Sequence, residues 1–387
     1  MQREADGKVV IRSGFAKIGL WQAKVRQRCG GAGRPAPARL LPRGPHSRPC
    51  WGAASRIQFG SVPRRAVACF PLALAELGED RARAGVIKDA GDDPDVTHGA
   101  LVIAETAWAT AGSGISYAAV EGVGVVTRPG LPLAVGEPAI NAAPRAMIHE
   151  TLPDVAAEYG TAPPDVSVTI SVPGGDRLAE KTMNARLGIV GGLSILGTTG
   201  VVVPYSCASW IHAIHRGIDV ARAAGLSHIA AATGATSERA IQHLHNLPDH
   251  ALIDMGDFVG GMLKYLRRHP VERLTIAGGF GKLAKLGAGH LDLHLSRSQV
   301  DVLALTAILA ELGADGPITQ KARAAAGAAE ILAIAGDRRE ALARRVAGQA
   351  REVALATLSE KTAVEVAIVD RQGRFLARIG EARWNGC

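Results

Sequence analysis

The sequence predicts a mixed fold in three parts: an α+β domain over residues 70–200, an α/β domain with a parallel sheet over 201–300, and a helical C-terminal region over 301–387. Three observations predict it. Short runs rich in Val, Ile and Thr, punctuated by Gly and Pro, fill the first part. Strand-like and helix-like segments alternate through the second, which implies parallel strands with helices on the sheet faces. The third is rich in Ala and Leu and ends in a hairpin pattern.

In the first part, ALVIAETAW, ISYAAVEGVGVVT and VSVTISVPGG read as strands, and APRAMIHETLPDVAAEYG as a helix stopped at Gly160. In the second, VVVP is a short strand. SCASWIHAIHRGIDVARAAG is a helix capped by Ser206 and stopped at Gly225. HIAAATG, ALIDMG and RLTIAGG are further strands, with SERAIQHLHNL, opened by Ser237, and DFVGGMLKYLRRHP as the helices between them. Ligands of such sheets lie beyond the carboxyl ends of the strands, so Thr233–Gly234, Met255–Gly256 and Gly278–Gly281 form one rim. VEVAIVDRQGRFLARIG turns at Gln372–Gly373, and this terminal hairpin is expected to pack back on the α+β domain.

Composition excludes several classes. At 387 residues and 47% hydrophobic content the chain can bury a sizeable core. No run of eighteen uncharged apolar residues exists, so no membrane span is expected. The start carries acids and no apolar stretch, unlike a secretory signal, and the five cysteines are scattered, so a reducing cytoplasm is the expected compartment. The net charge of +8 is local: residues 16–69 hold eleven Lys/Arg and no Asp/Glu. Removing those eleven from 44 bases leaves 33 against 36 acids, a balance of −3. Without a basic folded surface or aromatic platforms, no nucleic-acid partner is expected.

Several motifs admit both a chemical and a plain structural role. GGFGKLAKLG fails as a phosphate loop, because Ile276 and Leu283 stand where Gly and Ser/Thr are needed. Gly279-x-Gly281-x-x-Ala284 fits a dinucleotide turn loosely and gives the alternative of a nicotinamide-dependent oxidoreductase; a tight strand-to-helix turn explains it equally well. LGIVGGLSILGTTG ends in Thr198, Thr199 and Gly200, whose hydroxyls and N–H groups could hold a carboxylate or phosphate, or could form a buried crossover. His212, His215, His243 and His245 have no carboxylate at ligand spacing, so no metal site is expected. IKDAGDDPDVTHG packs Asp89, Asp92, Asp93 and Asp95 into seven positions. One like-charge pair at ~6 Å costs about 2–3 kcal/mol at an effective dielectric near 20. Something must offset that: internal salt bridges, with Lys88, His98 and Arg83 nearby, a cationic ligand, or a metal.

Four runs, AGVIKDAGDDPDVTHGA, EGVGVVTRPGLPLAVGEPAINAAPRAMI, LAEKTMNARLGIVGGLSILGTTG and GGFGKLAKLGAGHLDLHLSRSQVD, strongly resemble the CbiD family of cobalt-precorrin-5B C-1 methyltransferases, over about residues 72–365. The resemblance implies an α+β N-terminal domain joined to a Rossmann-like α/β domain. It also implies methyl transfer from S-adenosylmethionine to C-1 of a cobalt-bearing tetrapyrrole. A substrate with several carboxylates needs cations and donors. Arg128, Asn141, Arg145, Lys181, Arg186, Lys282 and Lys285 in the matching motifs are the substrate-binding candidates. The donor's sulfonium, ammonium and ribose hydroxyls suit carboxylates and a glycine-threonine rim. Asp89, Asp92, Asp93, Thr198, Thr199, Gly200, Thr233 and Gly234 are therefore the donor-site candidates. His98, Asp95 and Glu137 are the candidate proton acceptors. Partners beyond the substrate would be a second copy of the chain or transient contacts with neighbouring pathway enzymes.

One departure interrupts the resemblance. Ile11-Arg12-Ser13-Gly14-Phe15 matches the family start, but the expected Thr-Thr-Gly and alanine-rich helix do not follow, and agreement resumes near Phe70-Pro71. The gap coincides with the acid-free stretch, which as it stands is too rich in Pro, Arg and Gly to order itself readily. A double frameshift accounts for both, and would leave a catalytically impaired family member. Resequencing the gene should reveal compensating shifts near codons 16 and 69. An unchanged reading frame, with peptides of this stretch seen by mass spectrometry, would defeat the idea.

Overall fold

The computed structural model describes residues 71–78, 80–90, 95–158, 165–196, 207–358 and 360–380, with two short paired strands, β1 (Gln2–Arg3) and β2 (Val9–Val10). The N-terminal segment, expected to be poorly ordered, otherwise lies outside the described residues, as do the VVVP run and Ser206. The fold is mixed α/β. The chain divides into two compact units. The first comprises Met1–Thr127, Pro132–Ala185 and Ile189–Tyr205; the second comprises Arg128–Leu131, Arg186–Gly188 and Ser206–Cys387.

The first unit is built on a five-stranded sheet. Its strands are β3 (Leu74–Leu77), β4 (Arg81–Ile87), β5 (Leu101–Trp108), β6 (Ile115–Ala119) and β9 (Val166–Ser171), in the order β3-β4-β5-β9-β6. All pairs are antiparallel except β6 with β9. Alternation sets the buried face: Val166, Val168 and Ile170 point inward with Val102 and Ala104 of β5. They pack on Ile148 and Leu152 of helix α1 (Ala142–Glu158). The expected single strand over 115–127 breaks at its glycines into β6, β7 (Gly122–Val123) and β8 (Val125–Val126). Gly122 has φ +75°, and a Cβ there would lie 1.8 Å from the Val172 carbonyl oxygen. Two short pairs complete this crossing: β7 with β11 (Gly192–Leu193), and β8 with β10 (Ile189–Val190). A short helix α2 (Gly175–Ala179) follows β9.

The second unit carries the other five-stranded sheet. Its strands are β12 (His228–Ala232), β13 (Leu252–Asp254), β14 (Arg273–Gly279), β15 (Ala363–Val369) and β16 (Phe375–Ile379). The order is β13-β12-β14-β15-β16; the first four run parallel and β16 is antiparallel. The terminal hairpin is therefore a correction. It turns where expected, with the Asp370 carboxylate accepting from the N–H groups of Gln372 and Arg374, but β15 pairs with β14 and not with the first sheet. Val364, Val366 and Ile368 make a nearly continuous apolar strand, the pattern of a strand covered on both faces.

Helix α3 (Cys207–Ala223), α5 (Val259–Arg268), α6 (Phe280–Gly287) and α10 (Arg339–Thr357) cover one face through Ile214, Ile218, Met262, Leu263, Leu286 and Val346. Helix α4 (Ala235–His245) covers the other through Ile241, over the small residues Ala230, Ala277 and Ala367. It begins two residues before Ser237, whose hydroxyl donates to the Gly234 carbonyl. Between α6 and α10 lie α7 (Val302–Glu311), α8 (Gly316–Arg323) and α9 (Ala328–Ile334); Asp301 and Asp315 cap the first two on the N–H groups of Ala304 and Ile318.

Beneath α4 sits a buried ionic cluster. Glu365 of β15 is fully buried and accepts from Arg378 (2.7 and 3.0 Å) and from Thr275 (2.8 Å), with His245 Nε2 at 2.7 Å. His228 Nε2 lies 2.9 Å from Thr275 Oγ1 and stands edge-on to His245. Burial pushes the Glu365 carboxyl up, but His245, Arg378 and Thr275 outweigh it and hold it below the usual range. Burial, and then His245, push the His228 imidazole down from 6.5 to about 4. Between those two values the unfolded chain binds a proton at this position that the folded chain does not. Stability therefore falls as pH drops through that window, by roughly 2–3 kcal/mol in all. Denaturant titrations from pH 7 to 4 should show this loss, and His228→Asn should flatten it by that amount; equal slopes would contradict the assignment.

Candidate active site

The order of the second sheet places a switch point between β12 and β14. From β12 the chain crosses by α4 to β13 on one side, then by α5 to β14 on the other, so connections leave β12 and β14 in opposite directions. Ligands of parallel sheets bind beyond the carboxyl ends of the strands at such a reversal. The turn Thr233–Gly234 leads into α4 here, and Gly278–Gly279 leads into α6. Neither helix start has a side-chain cap, and a Cβ on Gly234 or Gly279 would meet nothing within 4 Å. Gly278 is different. A Cβ there would lie 2.8 Å from Thr233 Oγ1, so glycine lets the threonine side chain cross the end of β14.

Charged groups gather along this rim. Arg186 forms a two-pronged ion pair with Glu238 in the first turn of α4, at 2.7 and 2.6 Å. Asp254 ends β13; burial and then Glu238 push its carboxyl up from the ordinary value, with Arg186 opposing. Lys282 is paired with Asp257. Lys285 is buried and donates to the Leu293 carbonyl at 3.0 Å, and burial and Lys282 push its ammonium down. Arg128 stands apart from this rim: Gly130 beside it packs on Asp219 and Val220 of α3, its side chain passes Gly188, where a Cβ would lie 2.7 Å from it, and its buried Nη1 has no hydrogen-bond partner among the described residues.

Several candidates lie in the first unit. Residues 88–100 join β4 to β5, and the loop is locked from within. Lys88, itself buried, binds Asp95 at 2.9 Å and also Thr97. Asp95 accepts from the Thr97 N–H (2.8 Å) and hydroxyl (2.6 Å). Burial pushes the Asp95 carboxyl up, but the Thr97 and Lys88 donors outweigh it and hold it far below the usual carboxylate range. So weak a base does not suit the expected proton acceptor. His98 accepts the Ala90 N–H on Nδ1 at 3.0 Å, so its neutral ring carries the proton on Nε2 and offers a donor outward. Asp89 lies 3.9 Å from His98 Nδ1. Glu137 is paired with Arg145 at 2.8 Å, and Arg145 also donates to the Ile140 carbonyl and lies over the Tyr117 ring. These two candidates therefore clamp the entry to α1 together. The Asn141 N–H donates to Ile195, and Lys181 is exposed. Asp92, Asp93, Thr198, Thr199 and Gly200 lie outside the described residues. Among the described residues no cluster of three or more His, Cys, Asp or Glu could hold a metal, and no helix is long and apolar enough to cross a membrane.

The CbiD family pattern matches residues 55–204, and the pattern of its C-terminal domain matches residues 292–380. A curated cobalt-precorrin-5B C(1)-methyltransferase of Paramagnetospirillum magneticum is 55% identical over 316 residues, covering 81% of this chain and 88% of the relative. The chain belongs to the CbiD family. Proteins of the same name from Brucella anthropi (54% identical; 82% and 86% covered) and a Bradyrhizobium species (53%; 88% and 94%) match similarly. A crystal structure of a cobalamin biosynthesis protein, CbiD, from Archaeoglobus fulgidus matches at 29% identity over 62% of this chain and 73% of that one, with a TM-score of 0.31.

Three rim residues of this CbiD chain were not among the sequence candidates: Asp254, Glu238 and Trp210. Asp254 had a signal. It ends the strand after the Gly234 turn, twenty positions on, where an acid commonly meets a ribose in doubly wound sheets.

Proposed function

We propose that this chain transfers the methyl group of S-adenosylmethionine to C-1 of cobalt-precorrin-5B, giving cobalt-precorrin-6A, in the cytoplasm on an anaerobic-type route to cobalamin. The observation that carries this reading is the 53–55% identity, over most of both chains, to relatives named for that reaction. We read the second unit's sheet as Rossmann-like and its switch point as the donor site.

The residues there fit the donor. Asp254 can accept from the ribose hydroxyls. The uncapped turns at Gly234 and Gly279 leave space for a ligand and direct backbone N–H groups at a carboxylate. Thr233 adds a hydroxyl between them. Arg186 neutralises Glu238 and so limits the negative charge beside Asp254. The bound donor supplies an electrophilic methyl on a sulfonium. What the protein contributes is orientation: holding reactants in near-attack geometry is worth up to roughly 7–11 kcal/mol. For the carboxylates of the tetrapyrrole we retain two cations of the second unit, Lys282 and Arg128, whose Nη1 lacks a partner among the described residues. Arg145 and Lys285 serve packing. We assign none of His98, Asp95 and Glu137 as the proton acceptor.

Methyl-labelled S-adenosylmethionine and the cobalt-precorrin should give labelled corrinoid with the purified chain. Asp254→Asn should raise KM for the donor about tenfold and leave KM for the tetrapyrrole unchanged. An unchanged donor KM would remove Asp254 from the site. No transfer by this chain, but transfer after restoring the reading frame of residues 16–69, would identify an impaired family member. No transfer by either would overturn the function.

A further inference from the structure

Trp210 lies in the first turn of α3, and 47% of it is exposed. Its place on the helix makes this unusual. Residues 210, 214 and 218 follow at four-residue spacing and share one face, and both Ile214 and Ile218 are buried in the core beneath. Trp210 continues that core-facing stripe past the point where the sheet ends, so its indole overhangs the carboxyl end of β13.

The ring is held there firmly. Its Nε1–H donates to the Asp254 carbonyl at 3.1 Å. The indole edge comes within 3.4–3.5 Å of where a Cβ would stand on Gly256, a residue at φ +51°. Phe258 supports it at a centroid distance of 6.3 Å and an interplanar angle of 47°. Backbone and aromatic contacts thus fix the ring's orientation without burying it. A pinned, half-exposed indole beside a carboxylate is a stacking surface in waiting.

We infer that Trp210 forms a wall of the donor site and stacks on the adenine of the methyl donor. The inference rests on the reading of Asp254 as the ribose acceptor. Adenine is bonded directly to that ribose, so a sugar hydrogen-bonded to Asp254 brings its base to the same strand end. Stacking on an aromatic tolerates any flat base face and depends on ring area, so phenylalanine should substitute in part and an aliphatic residue poorly.

The test is binding of S-adenosylhomocysteine to the full chain and to its Trp210→Phe and Trp210→Leu variants, by calorimetry and tryptophan fluorescence, with thermal melts to show that each variant is folded. Trp210→Leu should bind ten- to fiftyfold more weakly and lose the ligand-induced quenching. Trp210→Phe should lose less than fivefold. Adenosine should reproduce the difference between variants, and methylthioribose, which lacks the base, should not. Equal affinity across the three proteins would overturn the assignment while leaving the donor site standing. A rise in KM for the tetrapyrrole alone would assign the ring to the macrocycle and overturn it too. If the wild-type chain binds no S-adenosylhomocysteine, the donor-site reading falls and the inference falls with it.

Discussion

The reversal of strand order between β12 and β14 is the constraint on which the second unit depends. Because β13 and β14 flank β12 on opposite sides, α4 must leave on one face and α5 and α6 must lie on the other. Their chains diverge at the strand ends and leave a gap that no sheet residue fills. The local residues then follow from geometry. Gly234 and Gly279 open into that gap, and Gly278 gives up its side chain to the crossing Thr233. Glu238 in the first turn of α4 is close enough to raise the cost of charge on Asp254, and Arg186 opposes it.

Helix α4 is secured by charge at both ends. Its first turn carries Glu238, bound by Arg186, and its last residue is His245, bound to the buried Glu365. The acid at its start also complements the helix dipole. The clamp is expensive in isolation, since a fully buried carboxylate loses its hydration, but Arg378 and Thr275 supply the missing donors. Small residues under the helix, Ala230, Ala277 and Ala367, let it lie close to the sheet. The rim is therefore presented by an element with little freedom to shift, which suits a reaction governed by orientation.

Much of this was legible in the sequence, because local rules govern it. The three short parallel strands were visible as apolar runs ending in Thr-Gly, Met-Gly and Gly-Gly, and those endings mark the rim. The terminal hairpin was visible too, but not its neighbour: pairing of β15 with β14 is set by a register between residues some ninety positions apart. Glu365 interrupts a run of Val and Ile, and only its partners on three other elements, α4, β14 and β16, explain why it is tolerated. The aspartate-rich loop illustrates the opposite limit. Its composition allowed a ligand or an internal lock, and for Asp95 the lock is realised through Lys88 and Thr97. The Glu137–Arg145 pair was hidden because a turn, not a regular spacing, brings the two together. Asp254 carried a weaker signal, because the turn that precedes its strand has the single Gly234, whereas 278–281 has three glycines.

Hydrogen exchange of the intact chain, with and without S-adenosylhomocysteine, measures the location of the donor most directly. Slowed exchange should concentrate in residues 233–238, 254–258 and 278–282, at the ends of the three parallel strands. Protection confined instead to the 88–100 loop or to residues 184–200 would contradict a donor site at the switch point.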